Sequence, residues 1–232
     1  MTCNGYSIFI WLCLAFLGSS TTQLQAQQDE LGNWLMYFGT NRVADKWSIH
    51  SEIQHRNHTV KFGNIEQLLL RTGVNYHLSS NAILTGGLGY IDSYVFESPQ
   101  DGPETSEWRF FQQMILINQV GRLKFEHRYR LEQRWVNSDF RHRVRYRFMA
   151  FLPLNKPRIT QGTVFFALYD EIFLNTEQTF FDRNRFYLAL GYQISPISQI
   201  QVGWMRQQVN DFGKNYLQLG FVFNPDLRGG GS

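Results

Sequence analysis

Apolar and polar residues alternate with a period of two along most of the chain after residue 30. Within residues 123–136, for example, Phe125 and Tyr129 share one face, whereas Glu126 and Arg128 share the other. A strand places every second side chain on the same face, while a helix repeats after three or four residues. The pattern therefore predicts a chain built from strands.

Eleven segments show this alternation or a weaker form of it. They are residues 34–40, 47–56, 66–78, 83–94, 108–119, 123–136, 140–151, 163–173, 184–194, 199–204 and 216–223. Bacterial single-chain barrels have an even number of strands. We therefore expect an all-β antiparallel barrel of about 12 strands, in a range of 10–12, with a further strand near the N-terminus.

The two ends of the chain differ from the strand segments. Residues 8–17 form an apolar run that is followed by small and polar residues, which is typical of a secretory signal peptide ending at Ala26. Both cysteines, Cys3 and Cys13, lie in this leader, so the predicted mature chain has no disulfide. Residues 229–232 resemble an appended flexible linker, which leaves 27–228 as one barrel domain.

Composition decides between two architectures that fit repeated antiparallel strands, a soluble sandwich or lipocalin-like barrel and a transmembrane barrel. Aromatic residues make up 16 % of the chain and charged residues 18 %, and the mean hydropathy is −0.32. The export signal, strands long enough to cross a bilayer and Trp and Tyr near strand ends favour the transmembrane barrel. Longer loops on one rim, such as residues 97–107, and short turns on the other rim also indicate a transmembrane barrel. We therefore expect location in the cell outer membrane, in contact with lipid and lipopolysaccharide.

If the apolar face meets lipid, the charged face lines a narrow lumen, because an arginine facing lipid at the midplane costs about 2–4 kcal/mol. The candidate lumen charge network comprises Glu52, Arg71, Glu126, Arg128, Arg130, Glu132, Arg134, Arg141, Arg143, Arg145, Arg147, Glu171 and Arg185. One interpretation is that paired charges fill the barrel of a structural or accessory protein. The other is an arginine-lined channel or pocket for anionic solutes, because the arginines outnumber the carboxylates.

Catalysis is the weakest of the three functional hypotheses. The sequence has no HExxH or GxSxG motif, and we assign no catalytic residue, metal ligand or cofactor. His50 and Glu52 share a predicted lumen face and are the positions that an outer-membrane hydrolase could use. Nucleic acid is not expected as a partner, because the arginines of residues 141–147 alternate with an apolar strand face and the chain is exported. A larger outer-membrane complex is a possible partner.

Four short stretches carry a resemblance to a known family. They are Arg128-x-Arg130-Leu131-Glu132-Gln133-Arg134-Trp135, Arg143-x-Arg145-Tyr146, Asp170-Glu171-Ile172-Phe173 and Asn184-Arg185-x-Tyr187. The chain resembles, from Trp34 to Phe223, an uncharacterised outer-membrane family of Bacteroidetes, the domain-of-unknown-function family numbered twenty-four ninety. The resemblance implies a small outer-membrane β-barrel and brings no activity. The ending Gly220 to Phe223 also looks like a barrel's last strand, although residues 224–228 follow it.

Overall fold

Eleven strands close into one barrel in the computed structural model, which describes residues 31–96, 98–177 and 179–228. The strands are β1 (Gly32–Ala44), β2 (Trp47–Asn57), β3 (Ile65–Ser79), β4 (Ala82–Ser93), β5 (Thr105–Val120), β6 (Leu123–Val136), β7 (Asp139–Pro153), β8 (Val164–Asn175), β9 (Phe181–Ser195), β10 (Ser198–Val209) and β11 (Phe212–Phe223). A single 3₁₀ turn, Pro99–Asp101, interrupts the loop after β4. The predicted all-β barrel is confirmed. The predicted signal peptide, residues 1–26, and the linker, 229–232, lie outside the described residues.

The strands are long for a small barrel. The shortest, β2, has 11 residues and the longest, β5, has 16. A tilted strand needs about 9–11 residues to cross the hydrocarbon core of a bilayer. Every strand therefore has the length of a membrane-crossing strand. No helix in the described part of the chain is long and apolar enough to cross a membrane.

The barrel closes through a parallel pair. Each strand runs antiparallel to its neighbours in sequence, but β1 pairs in parallel with β11, from Gly32 opposite Tyr216 to Gly39 opposite Phe223. The barrel has 11 strands, within the expected range of 10–12 and close to the expected 12, and among the described residues it closes without a further N-terminal strand. With an odd number of strands, the first and the last point the same way, so closure requires one parallel contact.

The two rims of the barrel differ in their connections. We call the rim where β1 begins the N-terminal rim and the rim where β11 ends the C-terminal rim. The N-terminal rim carries loops 58–64, 94–104 and 176–180 and the turns 137–138 and 210–211. The C-terminal rim carries turns 45–46, 80–81, 121–122 and 196–197, and one long loop, 154–163. Long loops thus lie mostly on one rim, as expected.

Apolar side chains face outward and charged side chains face inward. Exposed apolar residues run around the outside at alternate strand positions, among them Ile53, Leu70, Leu88, Trp108, Tyr129, Leu131, Val144, Leu190, Val202 and Leu219. The residues between them point into the lumen, where arginines and glutamates are buried. A soluble barrel has the opposite arrangement, with its apolar face inside. The structure is therefore consistent with an outer-membrane-type barrel.

The residues after β11 continue along β1. The backbone nitrogen of Arg42 donates to the Pro225 carbonyl at 3.0 Å, and that of Leu227 donates to the Arg42 carbonyl at 2.8 Å. Arg228 bonds both Asp226 and Asp45, and its hydrogen bonds lower the pKa of Asp226 to about 2. We call the parallel pairing of β1 with β11 the parallel seam. The residues that follow the aromatic end of β11 therefore extend this seam.

One side of the lumen is apolar. The apolar cluster consists of Trp34, Met149, Phe151, Phe165, Ala167, Tyr187, Ala189, Met205 and Tyr216. Along β7 the inward positions change from arginine, as far as Arg147, to Met149 and Phe151 toward the C-terminal rim. On β9, Gly191 leaves room for the Phe165 ring, which a Cβ atom would overlap. Charged side chains thus line only part of the lumen.

Candidate functional site

The lumen holds a cavity of about 280 Å³, and most of the charged residues that line it are cationic. The arginines that line it are Arg56, Arg71, Arg109, Arg128, Arg134, Arg143, Arg145, Arg147, Arg183 and Arg185. The lining carboxylates are Glu52, Glu107 and Glu171. Alternation along β6, β7 and β9 supplies most of these side chains, since every second residue of those strands points inward. The cavity is the candidate functional site.

Strand register brings like charges together in this site. On β6 and β7, Arg128 lies opposite Arg147, and Arg130 lies opposite Arg145. Like charges placed directly opposite each other destabilise a strand pair. Carboxylates must therefore compensate for this repulsion, and two glutamates, one on β6 and one on β8, do so.

Glu132 is the first of them and lies at the centre of the charge network. Its carboxylate accepts from Arg143 at 2.6 Å and from Arg145 at 2.6 Å, and Arg130 lies 3.6 Å away. The Glu132 side chain is fully buried. Buried charges are tolerated when they are paired and hydrogen-bonded, because desolvation of an ion costs several kcal/mol. Glu132 thus holds β6 and β7 together against the repulsion of their arginines.

Glu171 on β8 is the second compensating carboxylate. It accepts from Arg145 at 2.7 Å and from Arg128 at 2.5 Å. Arg145 therefore bridges two carboxylates, Glu132 and Glu171, and joins three strands. Charge-assisted hydrogen bonds to a planar guanidinium fix such an arrangement geometrically.

On the opposite wall, Glu52 of β2 binds Arg71 of β3. The distance from Arg71 Nη1 to Glu52 Oε2 is 2.6 Å. Gln54 donates to the same carboxylate at 2.5 Å, and His50 Nε2 lies 3.2 Å from it. The predicted proximity of His50 and Glu52 is thus found, but Arg71 and Gln54 also bind this carboxylate.

Several members of the network were not predicted from the sequence. Glu107 on β5 bonds Arg134 and Arg109, with Nη2 to Oε2 distances of 2.9 Å in both cases. Gln113 accepts from Arg130 at 2.9 Å, and Asp182 accepts from Arg143 at 3.1 Å. Glu107 and Arg109 flank the outward Trp108, so the same alternation could have identified them.

Two predicted members lie at the edge of the network and one lies outside it. Glu126 and Arg147 lie at the edge. Glu126 contacts Lys124 at 2.8 Å and Arg147 at 3.9 Å, and the side chains of Glu126 and Arg147 are both partly exposed. Arg141 is corrected: its side chain is 53 % exposed and pairs with Asp139 at 2.9 Å. Arg141 is the third residue of β7, so it lies at the N-terminal rim, beyond the packed lumen.

Two cavity arginines have no carboxylate within salt-bridge distance among the described residues. Arg56 bonds the side-chain oxygens of Gln54 and Gln67. Arg185 donates to Gln207 at 2.8 Å. Neither residue was paired by the sequence analysis, and Arg56 was not predicted as a network member. Their hydrogen-bond partners are neutral, so neither guanidinium group is bonded directly to a carboxylate.

Arginines outnumber glutamates among the buried charged side chains of this site. Seven arginines but only four glutamates are buried among residues 31–228. Arginine is always protonated and presents donors that match carboxylate and phosphate oxygens. In the same described ranges, no three His, Cys, Asp or Glu side chains come together as a metal site.

Comparisons with known proteins bring no activity. No curated protein matches the chain. A crystal structure of the siderophore receptor PirA from Pseudomonas aeruginosa matches 78 % of this chain and 35 % of the receptor, with 12 % identity and a TM-score of 0.26. The chain thus spans about a third of that receptor, and the TM-score is too low to carry an argument. The family described as Protein of unknown function (DUF2490) matches residues 31–218. The chain belongs to the DUF2490 family.

Proposed function

We propose that this protein is a structural or accessory β-barrel of the outer membrane, without enzymatic activity and without an open pore. The observation that carries the proposal is that side chains fill most of the lumen and leave a cavity of only about 280 Å³. Ion pairs centred on Glu132 and Glu171 occupy one region of it, and the apolar cluster occupies another. Barrels of about 8 strands are filled by side chains, whereas water-filled channels appear at 16–18 strands. Eleven strands with long inward arginines fall nearer the filled case.

The outer surface supports placement in a lipid bilayer. Exposed leucine, valine and aromatic side chains alternate with inward-facing side chains along the strands. In water, such a surface would be a large exposed apolar patch, which marks an interaction site. Outer-membrane lipid and lipopolysaccharide are the partners that this surface fits.

Conductance across a planar bilayer tests the closed lumen. The purified protein is expected to give no stable channels, and Arg143→Ala and Arg145→Ala are expected to raise ion flow by opening the network. Regular single-channel steps from the unmodified protein would contradict an accessory barrel. Asp139→Asn serves as the control, because Asp139 is exposed at the rim.

Association with a larger outer-membrane complex is the form of accessory role that we propose. The N-terminal rim exposes Phe62, Phe180 and Phe212, with 70 %, 69 % and 72 % of their surfaces accessible. Exposed aromatic residues are enriched in protein interfaces. Co-purification from native outer membranes in mild detergent should recover a defined partner, which the triple variant Phe62→Ser/Phe180→Ser/Phe212→Ser should lose. Recovery of the barrel alone would contradict this role.

A second candidate function is anion binding or passage through the lumen. The specific observation in its favour is the excess of arginines over carboxylates around the cavity. Such a lumen would select anions over cations. Reversal potentials measured under a salt gradient test passage, and equilibrium binding tests a closed pocket.

A membrane-embedded hydrolase is the weakest candidate. It would depend on His50 and Glu52, which contact each other at 3.2 Å. Turnover assays on lipids and peptides, with His50→Ala as the comparison, test this candidate. Activity that His50→Ala abolishes would favour the hydrolase over the accessory barrel.

A further inference from the structure

Two buried arginines and a buried tryptophan form a cluster beside the cavity. The guanidinium carbon of Arg56 lies 4.0 Å from the ring centre of Trp34, and that of Arg185 lies 4.9 Å from it. Arg56, Arg185 and Trp34 are 7 %, 8 % and 3 % exposed. The three residues come from β2, β9 and β1, so the parallel seam brings them together.

The carboxylates that interact electrostatically with these two arginines form their hydrogen bonds and ion pairs with other residues. Glu66, whose charge acts on Arg56, is 3.1 Å from Lys214 and accepts from the Tyr216 hydroxyl at 2.8 Å. Glu171, whose charge acts on Arg185, is bound by Arg145 and Arg128. The two cations of the cluster therefore share no anion of the protein within the described residues.

Buried hydrogen-bond donors without an acceptor line the cavity. Trp34 Nε1 is buried and has no hydrogen-bond partner, and the same holds for Arg71 Nε and Arg128 Nε. All three side chains line the cavity. A buried donor without a partner costs about 1–3 kcal/mol. An acceptor entering from outside would remove that cost, whereas another cation or a neutral apolar solute would not.

We infer that Arg56, Arg185 and Trp34 form a binding site for a small multivalent oxyanion, a phosphate- or carboxylate-bearing solute. The planar guanidinium fork bonds such groups in pairs, and the Trp34 indole adds a neutral donor. The cavity volume of about 280 Å³ lies just below the usual 300–1,000 Å³ of ligand pockets, which limits the guest to a small solute. Ser93 and Thr105, where β4 ends and β5 begins, also line the cavity, so it extends to the N-terminal rim.

This inference deepens the second candidate function and rests on it. Titration calorimetry of the full chain in a neutral detergent, with inorganic pyrophosphate and with citrate, measures binding directly. Arg56→Gln and Arg185→Gln should each weaken binding by about 10- to 100-fold, the loss expected for one charged hydrogen-bonding group. Arg141→Gln, which removes an equal charge from the exposed rim, should leave binding unchanged.

Tryptophan fluorescence supplies a second readout that does not depend on calorimetry. Anion binding should change the emission of the unmodified protein, and Trp34→Phe should remove that change while retaining an aromatic ring. Each variant is first checked for heat-modifiable gel mobility and a β-rich circular dichroism spectrum. Arg185→Lys is the substitute where Arg185→Gln does not fold, and it should weaken binding by losing the paired donors.

The results of the binding experiments distinguish failure of this site from failure of anion binding by the lumen as a whole. Binding that Arg143→Ala weakens but Arg56→Gln and Arg185→Gln leave intact would overturn the site and keep the anion-binding lumen. No binding of either probe would overturn both. Competition by lipopolysaccharide added to the micelles would identify a lipid phosphate as the natural source, and its absence would indicate a free solute.

Discussion

Arg130 on β6 lies directly opposite Arg145 on β7, and both guanidinium groups are buried in the lumen. Arg145 is held by two carboxylates, whereas Arg130 bonds the neutral oxygen of Gln113. The close approach of these two arginines therefore depends on a few carboxylates that several arginines share. Removing one of them changes the balance for several cations at once, which makes the charge network testable.

Glu132→Gln should destabilise the barrel by about 3–5 kcal/mol, because the change leaves buried arginines without their shared carboxylate. Urea unfolding in detergent micelles, followed by tryptophan fluorescence, measures the change. The exposed pair of Asp139 and Arg141 supplies the control, since Asp139→Asn should cost at most about 1 kcal/mol. Equal effects of the two variants would mean that the lumen is well hydrated.

Leu131→Arg tests which solvent the outside of the barrel meets. Leu131 is 51 % exposed and lies near the middle of β6. In a bilayer, arginine at such a depth costs about 2–4 kcal/mol. The yield of folding into liposomes should therefore fall, while Phe212→Arg at the rim should have little effect. A barrel that faces water would tolerate both substitutions equally.

Gly191→Ala should lower stability by about 1–3 kcal/mol, the usual effect of overpacking. The new Cβ would overlap the ring of Phe165, which is fully buried. Gly86→Ala is the matched control, because nothing lies within 4 Å of a Cβ there. Adding Phe165→Leu to Gly191→Ala should restore some of the loss. Thermal unfolding of the four proteins measures these differences.

The parallel seam can be tested by cross-linking. Leu35 lies opposite Leu219 in the register of β1 and β11. In a chain whose Cys3 and Cys13 are replaced by serine, Leu35→Cys/Leu219→Cys should react efficiently with a short bismaleimide. Leu35→Cys/Val202→Cys should not, because Val202 lies one strand further away. Cross-linking of the second pair alone would contradict closure by β11.

The tail after β11 gives a pH-dependent signal. Hydrogen bonds from Arg228 hold the pKa of Asp226 at about 2, below the usual value of about 3.9. The favourable contribution of this pair is therefore fully present above about pH 4 and is lost as the pH falls through about 2. Carboxyl ¹³C NMR of Asp-labelled protein follows the titration. Arg228→Gln should move the pKa of Asp226 back toward its usual value.

The strand faces and most of the network could be predicted, because a period of two fixes which residues share the lumen. Arg143 and Glu132, for example, followed from alternation alone. Partners across strands could not be predicted, since Arg134 meets Glu107 only in the register that β5 and β6 adopt. The grouping of Trp34 with Arg56 and Arg185 depends on the seam, for which local alternation carries no signal.

An odd number of strands also restricts how the chain can be rearranged. The start of β1 and the end of β11 lie at opposite rims, because these strands run in parallel. A parallel pair needs a connection of a dozen or more residues. A circular permutant that joins the two ends through a short linker therefore cannot form this barrel, although an even-stranded barrel would accept such a linker. Tags placed directly before β1 and directly after β11 would, for the same reason, lie at opposite rims of the barrel.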